Sequence, residues 1–288
     1  MTEEAERIAI ITDSTCDIPP ELVEKYQIVV VPLYVLWGEE QLVDGRDIDT
    51  DTFYARLPQD PIHPKTSQPT PLDFVRAIES LEAKEVLTIC LSKELSGTYA
   101  SACQAREDVD RPVHVVDSAS LTMGLGWQVL AAARARERGA GLEEMIAAAQ
   151  RVRERMSLLL TMDTLEYLHR GGRIGSAAKL LGSVIQLKPL LEVDHTSGVL
   201  EPVGRIRSRS KALSRLVDDT FERVELDEPL RVAVVHGAAH DLQRLVKAIE
   251  ARCDPDEMIV NAITPVLGVH GGPGVVAVCA YNVPAHDA

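Results

Sequence analysis

Short apolar runs, each followed by a polar turn and then by a segment of helical character, recur along the first half of the chain. Three of these runs occupy residues 7–12, 85–91 and 112–116, and a further strand is predicted at residues 28–35. Nearly uninterrupted apolar runs of this length are typical of strands buried on both faces, as in parallel sheets. The repeated order of strand, loop and helix predicts a mainly parallel sheet with helices on both faces.

The pattern changes near residue 157, where strands come in pairs. Two runs joined by the turn at residues 194–198 predict antiparallel strands. We expect two α/β domains: a three-layer α/β/α domain at residues 1–156 and an α/β sandwich with a mixed sheet at residues 157–288. Strands of the second domain are predicted at residues 158–161, 188–193, 199–205, 230–235, 258–262 and 275–281, and helices at residues 177–186, 211–223 and 241–252.

Two hydroxyl-rich segments precede predicted helices. Ser96, Gly97 and Thr98 follow the strand at residues 85–91 and open an alanine-rich helix. The first amides of a helix have no intrahelical partner and favour an anion, and glycine lets a ligand approach the backbone. Taken alone, Ser96 is more simply explained as a helix N-cap. A second loop offers Thr66 and Ser67, so the two loops together predict a site for one small anionic group.

Further candidates lie at the end of the first strand and in the second half of the chain. Asp13 and Ser14 follow the first strand, where α/β sheets place ligands, although turn-forming hydrogen bonds explain them equally well. His270 lies in a glycine-rich segment at residues 268–274, which predicts a loop histidine that binds either a ligand or the backbone. Arg173, next to Gly172 and before a predicted helix, is a candidate anion ligand or an ordinary solvated arginine.

Arg205, Arg207 and Arg209 alternate with other residues, so on an extended chain their side chains share one face. Such a strip in an acidic protein is a phosphate contact, a docking surface for another protein, or a solvated face. The sequence leaves these three interpretations open.

Composition narrows the range of functions. The chain has 30 basic and 44 acidic residues, a net charge of −14, and only 4% aromatic residues. A field of that sign repels nucleic acids and anionic lipid surfaces, and few aromatic residues disfavour base stacking. We therefore expect no nucleic-acid partner.

The cysteines and the hydropathy of the chain add further limits. Five scattered cysteines without a Cys-x-x-Cys pair argue against a disulfide framework and a structural zinc site. No apolar run approaches the ~20 residues of a membrane span, and the acidic N-terminal segment does not resemble a signal peptide. We expect a cytoplasmic protein with no integral membrane segment, no metal and no cofactor.

Several enzyme classes lack their motifs in this sequence. The chain contains no Gly-x-Ser-x-Gly, no phosphate-binding loop of nucleoside triphosphatases and no His-Glu-x-x-His. The remaining candidate residues carry hydroxyl groups, one imidazole and several guanidinium groups, and together such side chains can bind an anion.

Six sequence blocks lie along the chain at residues 12–19, 66–69, 95–98, 116–118, 168–174 and 268–274. Together, in this order, they resemble the DegV family of bacterial fatty-acid-binding proteins. The resemblance covers essentially the whole chain and predicts the DegV-like pair of α/β domains with one acyl chain buried between them.

The resemblance also implies a role. DegV proteins look like carriers without catalysis of their own, which present a long-chain fatty acid to a separate ATP-dependent fatty acid kinase; the resulting acyl phosphate serves phospholipid synthesis. Carried over by motif, Thr66 and Ser96 would hold the carboxylate with His270 beside them, and Ser67 and Gly97 belong to the same two blocks. Arg173 would lie at the phosphoryl end of the site. Arg207 would face the kinase, with Arg205 or Arg209 as alternatives.

Two other functions stay open at this point. The first is a phosphoryl- or acyl-transferase in which Ser96 or His270 is the working group. The second is a module similar to dihydroxyacetone kinase that binds a small polar substrate. A carrier should be purified with lipid bound, whereas neither alternative requires this.

Overall fold

The computed structural model describes residues 8–180 and 187–284. Two short 3₁₀ turns, Ser14–Cys16 and Gly175–Leu180, complement the regular elements. Up to residue 155 the elements are β1 (Ile8–Asp13), α1 (Pro20–Lys25), β2 (Ile28–Val31), β3 (Tyr34–Trp37), β4 (Glu40–Val43), α2 (Thr50–Arg56), β5 (Lys65–Ser67), α3 (Pro71–Glu79), β6 (Glu85–Cys90), α4 (Thr98–Glu107), β7 (Val113–Asp117), α5 (Thr122–Glu137) and α6 (Leu142–Arg155). From residue 156 they are β8 (Met156–Thr161), α7 (Glu166–Arg170), β9 (Lys188–Asp194), β10 (Val199–Ile206), α8 (Arg209–Phe221), β11 (Leu230–His236), α9 (Leu242–Glu250), β12 (Glu257–Ala262), α10 (Pro265–Gly271) and β13 (Val276–Asn282).

The first sheet has four parallel strands in the order β2-β1-β6-β7. Successive residues of a strand point to opposite faces of the sheet, and helices pack against both faces of this one. Ile10 packs with the side chains of α5, whereas Ile11 packs with Phe74 of α3 and Ala102 of α4. The predicted three-layer arrangement with a parallel sheet is confirmed.

The predicted single strand at residues 28–35 is wrong. Pro32 has no backbone N–H for a sheet hydrogen bond, and the amide of Leu33 donates to the hydroxyl of Ser14 instead (3.1 Å). The chain therefore leaves the first sheet after β2. Strand β3 enters a separate antiparallel sheet in the order β4-β3-β5.

The second large sheet is mixed, as predicted, with six strands in the order β10-β9-β8-β13-β11-β12. Only β11 and β12 run parallel to each other among its paired strands. One face shares a buried hydrophobic cluster with α8 and α9, to which Val278, Leu216 and Leu245 belong. The other face joins the core around α5, where Leu158 and Cys279 take part.

Helix α5 lies at the centre of this arrangement, and 13 of its 16 residues are buried. A helix that is apolar on all sides is one that packs against structure on all sides. None of the helices in the two described segments is both long and apolar enough to cross a membrane.

The loop predicted at residues 268–274 and the helix predicted at residues 177–186 both differ in the structure. Residues 268–274 do not form a loop throughout, because helix α10 extends to Gly271 and ends at Gly272, whose φ is 69°. Pro265 suits the first turn of that helix, where its missing N–H is not needed. Of the helix predicted at residues 177–186, the first four residues belong to the 3₁₀ turn Gly175–Leu180, and residues 181–186 lie outside the described residues.

Candidate functional site

A mainly apolar cavity lies between residues of the first half of the chain and the inner face of the mixed sheet. It encloses about 970 Å³ of space between atoms, part of which opens to solvent. The wall contributed by the first half includes Leu91 and Leu121. The wall contributed by the mixed sheet includes Leu158, Leu160, Leu200 and Ala277.

Polar side chains line the same cavity, and they come from distant parts of the sequence. The Oγ1 atom of Thr66 lies 3.0 Å from Nε2 of His270. Thr66 is on strand β5, where it pairs with Val35 of β3, so the prediction that it lies in a loop is wrong. His270 is on helix α10, not in a glycine loop. The structure therefore brings together two of the residues predicted to bind the carboxylate.

Ser96 also lines the cavity. Its hydroxyl lies 2.9 Å from Oγ1 of Thr98 and accepts from the amide of Thr98 (3.3 Å). The N-cap residue of α4 is Gly97, not Ser96. A Cβ atom on Gly97 would overlap the carboxamide of Gln68, so close approach of Gln68, and not a left-handed backbone, explains this glycine.

Gln68 lines the cavity too, although it was not among the residues predicted to bind a ligand. Its neighbours Thr66 and Ser67 in the same block were the available signal. Ser67 donates its hydroxyl to the carbonyl of Gln68 (3.3 Å); its carboxylate-binding role stays a prediction.

Arg173 ties the second half of the chain to the loop before α4. Its Nε donates to the carbonyl of Leu95 (3.2 Å), and a terminal nitrogen donates to the carbonyl of Gly171 (2.8 Å). The guanidinium is partly buried at the cavity. It therefore brings a positive charge close to Ser96 and His270.

His270 is uncharged at neutral pH. Burial, followed by the charges of Arg173 and His63, lowers its pKa to about 4. Its Nδ1 atom has no hydrogen-bond partner among the described residues and faces Gly171, where a Cβ atom would overlap it. The imidazole offers one hydrogen bond at the cavity without adding a formal charge.

The arginines at residues 205–209 do not share one face, which corrects the prediction. Strand β10 ends before Arg207 and α8 begins at Arg209. Arg209 forms a largely buried ion pair with Asp241 (2.9 Å), and Arg205 donates to the carbonyl of Lys179. Arg207 is exposed, does not line the cavity, and makes no ion pair with another described residue.

Asp13 and Ser14 form hydrogen bonds with other residues of the chain. The sequence had left open whether these two residues bind a ligand or stabilise a turn. Asp13 Oδ2 accepts from the amide of Leu91 (2.8 Å), and Oδ1 accepts from the amide of Thr15 (3.0 Å). Ser14 donates to Asp44 (2.6 Å). Burial raises the pKa of Asp13 to about 6.

The fold and the site define an α/β protein with two large sheets and one small sheet, whose apolar cavity ends at hydroxyl, imidazole and guanidinium groups. Residues 7–283 match the family described as "Uncharacterised protein, DegV family". A DegV domain-containing protein of Streptomyces coelicolor is 36% identical over 280 residues, covering 94% of this chain and 97% of the relative. Protein DegV of Bacillus subtilis is 32% identical over 277 residues, covering 94% and 98%. The chain belongs to the DegV family.

Solved structures of the family superpose closely on this one. A DegV family protein from Thermus thermophilus, described with fatty acid binding, has a TM-score of 0.90 at 34% identity. DegV from Bacillus subtilis, described as a fatty acid binding protein, has a TM-score of 0.88 at 32% identity. Each comparison covers 96% of this chain and 99% of the other. The predicted family and fold class are confirmed.

Proposed function

We propose that this protein binds a long-chain fatty acid whose acyl chain occupies the apolar cavity. The cavity that ends at Thr66, Ser96 and His270 is the observation that carries this proposal. Burying ~14 methylenes at ~0.8 kcal/mol each contributes a gross ~11 kcal/mol. Association costs ~4–15 kcal/mol, so only a cavity that is largely formed before binding leaves a favourable net free energy.

The polar end of the cavity suits a carboxylate. A buried anion without partners is strongly destabilised, and here hydroxyl groups, a neutral imidazole and the Arg173 guanidinium surround the place where it would lie. We infer that Thr66, Ser96 and His270 hold the carboxylate, with Ser67 and Gly97 in the same two segments. Gln68 joins this set because it lines the cavity.

The carrier role extends this proposal. The bound carboxylate is presented to a separate ATP-dependent fatty acid kinase, and the acyl phosphate formed serves phospholipid synthesis. Arg173 lies near the carboxylate position, where it can attract a phosphoryl group. Exposed Arg207 is available to a partner protein. The carrier itself catalyses no reaction in this proposal.

Lipid extraction tests the binding proposal. Protein purified from a bacterium should release long-chain fatty acid that mass spectrometry detects at close to one molecule per chain. Ser96→Ala should retain less, because one hydroxyl donor at the carboxylate is lost. Ser214→Ala is the matched control, since its hydroxyl bonds within α8, and it should retain as much as the unaltered protein. Protein without lipid that also fails to take up added fatty acid contradicts the proposal.

The carrier role has a separate test. Purified protein incubated with ATP and fatty acid should form no acyl phosphate unless a fatty acid kinase is added. Acyl phosphate formed by the protein alone would establish the transferase alternative.

A further inference from the structure

Two buried carboxylates from the first half of the chain hold the start of helix α10. Asp17 Oδ1 accepts from the amide of Thr264 (2.9 Å), and Asp44 Oδ1 accepts from the amide of Val266 (3.1 Å). Asp17 is only 2% exposed and Asp44 only 4%. Helix α10 carries His270, so these two contacts fix the element from which the imidazole reaches the cavity.

The second oxygen of each carboxylate is also bonded. Asp17 Oδ2 accepts from the hydroxyl of Thr122 at the start of α5. Asp44 Oδ2 accepts from the hydroxyl of Ser14 (2.6 Å). Each aspartate therefore joins α10 to a different part of the first half of the chain.

Asp44 is connected to both partners of the hydrogen bond between Thr66 and His270. On one side it holds Val266 in α10. On the other side, its own amide donates to the carbonyl of Leu33 (3.0 Å), and Ser14 accepts from the amide of Leu33 (3.1 Å). Leu33 directly precedes strand β3, which pairs with β5 and so with Thr66.

We propose that Asp17 and Asp44 are positioning residues that set His270 against Thr66 at the polar end of the cavity. The inference rests on the proposed fatty acid binding, because it assigns these aspartates to the same site. Neither aspartate lines the cavity, so each acts through α10 and not by touching the ligand. Truncating either one leaves a backbone amide and a buried hydroxyl proton without an acceptor.

A double-mutant cycle tests the inference through lipid affinity. Displacement of a fluorescent fatty acid should show about tenfold weaker binding for Asp44→Ala and for His270→Ala. The double variant should bind no more weakly than His270→Ala, because Asp44 acts through that imidazole. Asp44→Asn, which keeps an acceptor oxygen for the Val266 amide, should restore most of the affinity. Independent losses that multiply in the double variant would overturn the inference.

The position of His270 can also be measured without lipid. Long-range ¹⁵N–¹H NMR of the histidine rings should show changed His270 signals in Asp44→Ala and unchanged signals in Asp44→Asn. If the protein binds no fatty acid but these signals behave as stated, the proposed function fails and the positioning role stands. Unchanged His270 signals in folded Asp44→Ala refute the positioning role.

A second pair of variants removes the donor instead of the acceptor, in case Asp44→Ala does not fold. Thr264→Pro deletes the amide that bonds Asp17, and the φ of −57° at Thr264 already suits proline. Thr264→Ala keeps the amide and is the matched control. We expect altered His270 signals and about tenfold weaker lipid binding in Thr264→Pro alone; the same behaviour in both variants, or no change in Thr264→Pro, contradicts the inference.

Discussion

Thr66 and His270 are 204 positions apart in the sequence, yet their side chains lie 3.0 Å from each other at the cavity. The contact joins strand β5 to helix α10 across the polar end of the cavity. A fatty acid carboxylate bound there would compete for or extend this hydrogen bond. The contact is therefore the most direct place to perturb the site.

Gly171→Ala should displace the His270 imidazole. The added Cβ atom would overlap Nδ1, whereas the φ of −76° at Gly171 accommodates alanine. We expect about tenfold weaker binding of a fluorescent fatty acid. Gly204→Ala is the control, because nothing lies within 4 Å of its added Cβ atom. Equal affinities of the two variants would mean that the imidazole does not contribute to binding.

Ala277→Leu should shorten the acyl chain that the protein retains. Ala277 lines the cavity and is 3% exposed, so the larger side chain takes space from the ligand. Added volume in a packed region costs ~1–3 kcal/mol of stability, which thermal unfolding will show. Mass spectrometry of extracted lipid should find chains shorter by about two to three carbons, judged from the three added carbon atoms. Ala277→Ser, which barely changes the volume, should retain the original chain lengths, and an unchanged lipid profile in Ala277→Leu would place the chain elsewhere.

Asp44→Asn should alter the pH dependence of stability. Burial raises the pKa of Asp44 from 3.8 to about 7, so between these values the folded state binds a proton that the unfolded state has released. This contribution to the free energy of unfolding is present below pH 3.8 and is lost as the pH rises to about 7. Relative to the unaltered protein, Asp44→Asn should therefore gain stability across this range, by at most ~1.4 kcal/mol per pH unit.

Asp49→Asn provides a contrast of opposite sign. The amide of Thr52 is the main cause of the lowered pKa of Asp49, so its contribution is present above pH 3.8 and is lost as the pH falls through the lowered pKa. Urea unfolding at a series of pH values measures both variants. Parallel profiles of Asp44→Asn and the unaltered protein from pH 4 to pH 7 would contradict the assignment for Asp44.

Arg207→Ala should spare lipid binding and reduce phosphorylation by a fatty acid kinase. Arg207 is exposed and does not line the cavity, so it can contact a partner without touching the ligand. A lost charge contact at a protein interface lowers the association rate, and we expect at least about a fivefold lower rate of acyl phosphate formation. Arg252→Ala, an exposed arginine outside the residues 205–209, is the control. Loss of lipid from Arg207→Ala would contradict this division of roles.

The parallel sheet could be predicted from the sequence because its strands are buried on both faces. Such strands appear as continuous apolar runs, and residues 85–91 are an example. The break after β2 could not be predicted, because the residues on both sides of Pro32 are apolar and look like one continuous strand. The antiparallel pairing of β3 with β4 and β5 depends on residues that are distant in the sequence. Local pattern alone does not show which sheet a strand enters.

Only part of the site could be predicted, because its geometry also depends on contacts between residues that are distant in the sequence. Thr66, Ser96, Arg173 and His270 were candidates and line one cavity, but their surroundings differ from expectation. Glycines near His270 suggested a loop, whereas Val266 and Val269 are buried and hold that segment as a helix. Asp44 contacts Leu33 and Val266 only in the folded structure, and no local sequence motif predicts these contacts.

The burial of helix α5 limits how a ligand can enter and leave the cavity. The helix forms part of the covering of both large sheets, and its almost complete burial means that no hinge between the halves can open without exposing Trp127 and its neighbours to water. A fatty acid bound as proposed would therefore exchange through small rearrangements near Gln68, which is exposed and lines the cavity. In such a protein a few side chains at the cavity opening would control exchange of the ligand while the two halves stay packed together.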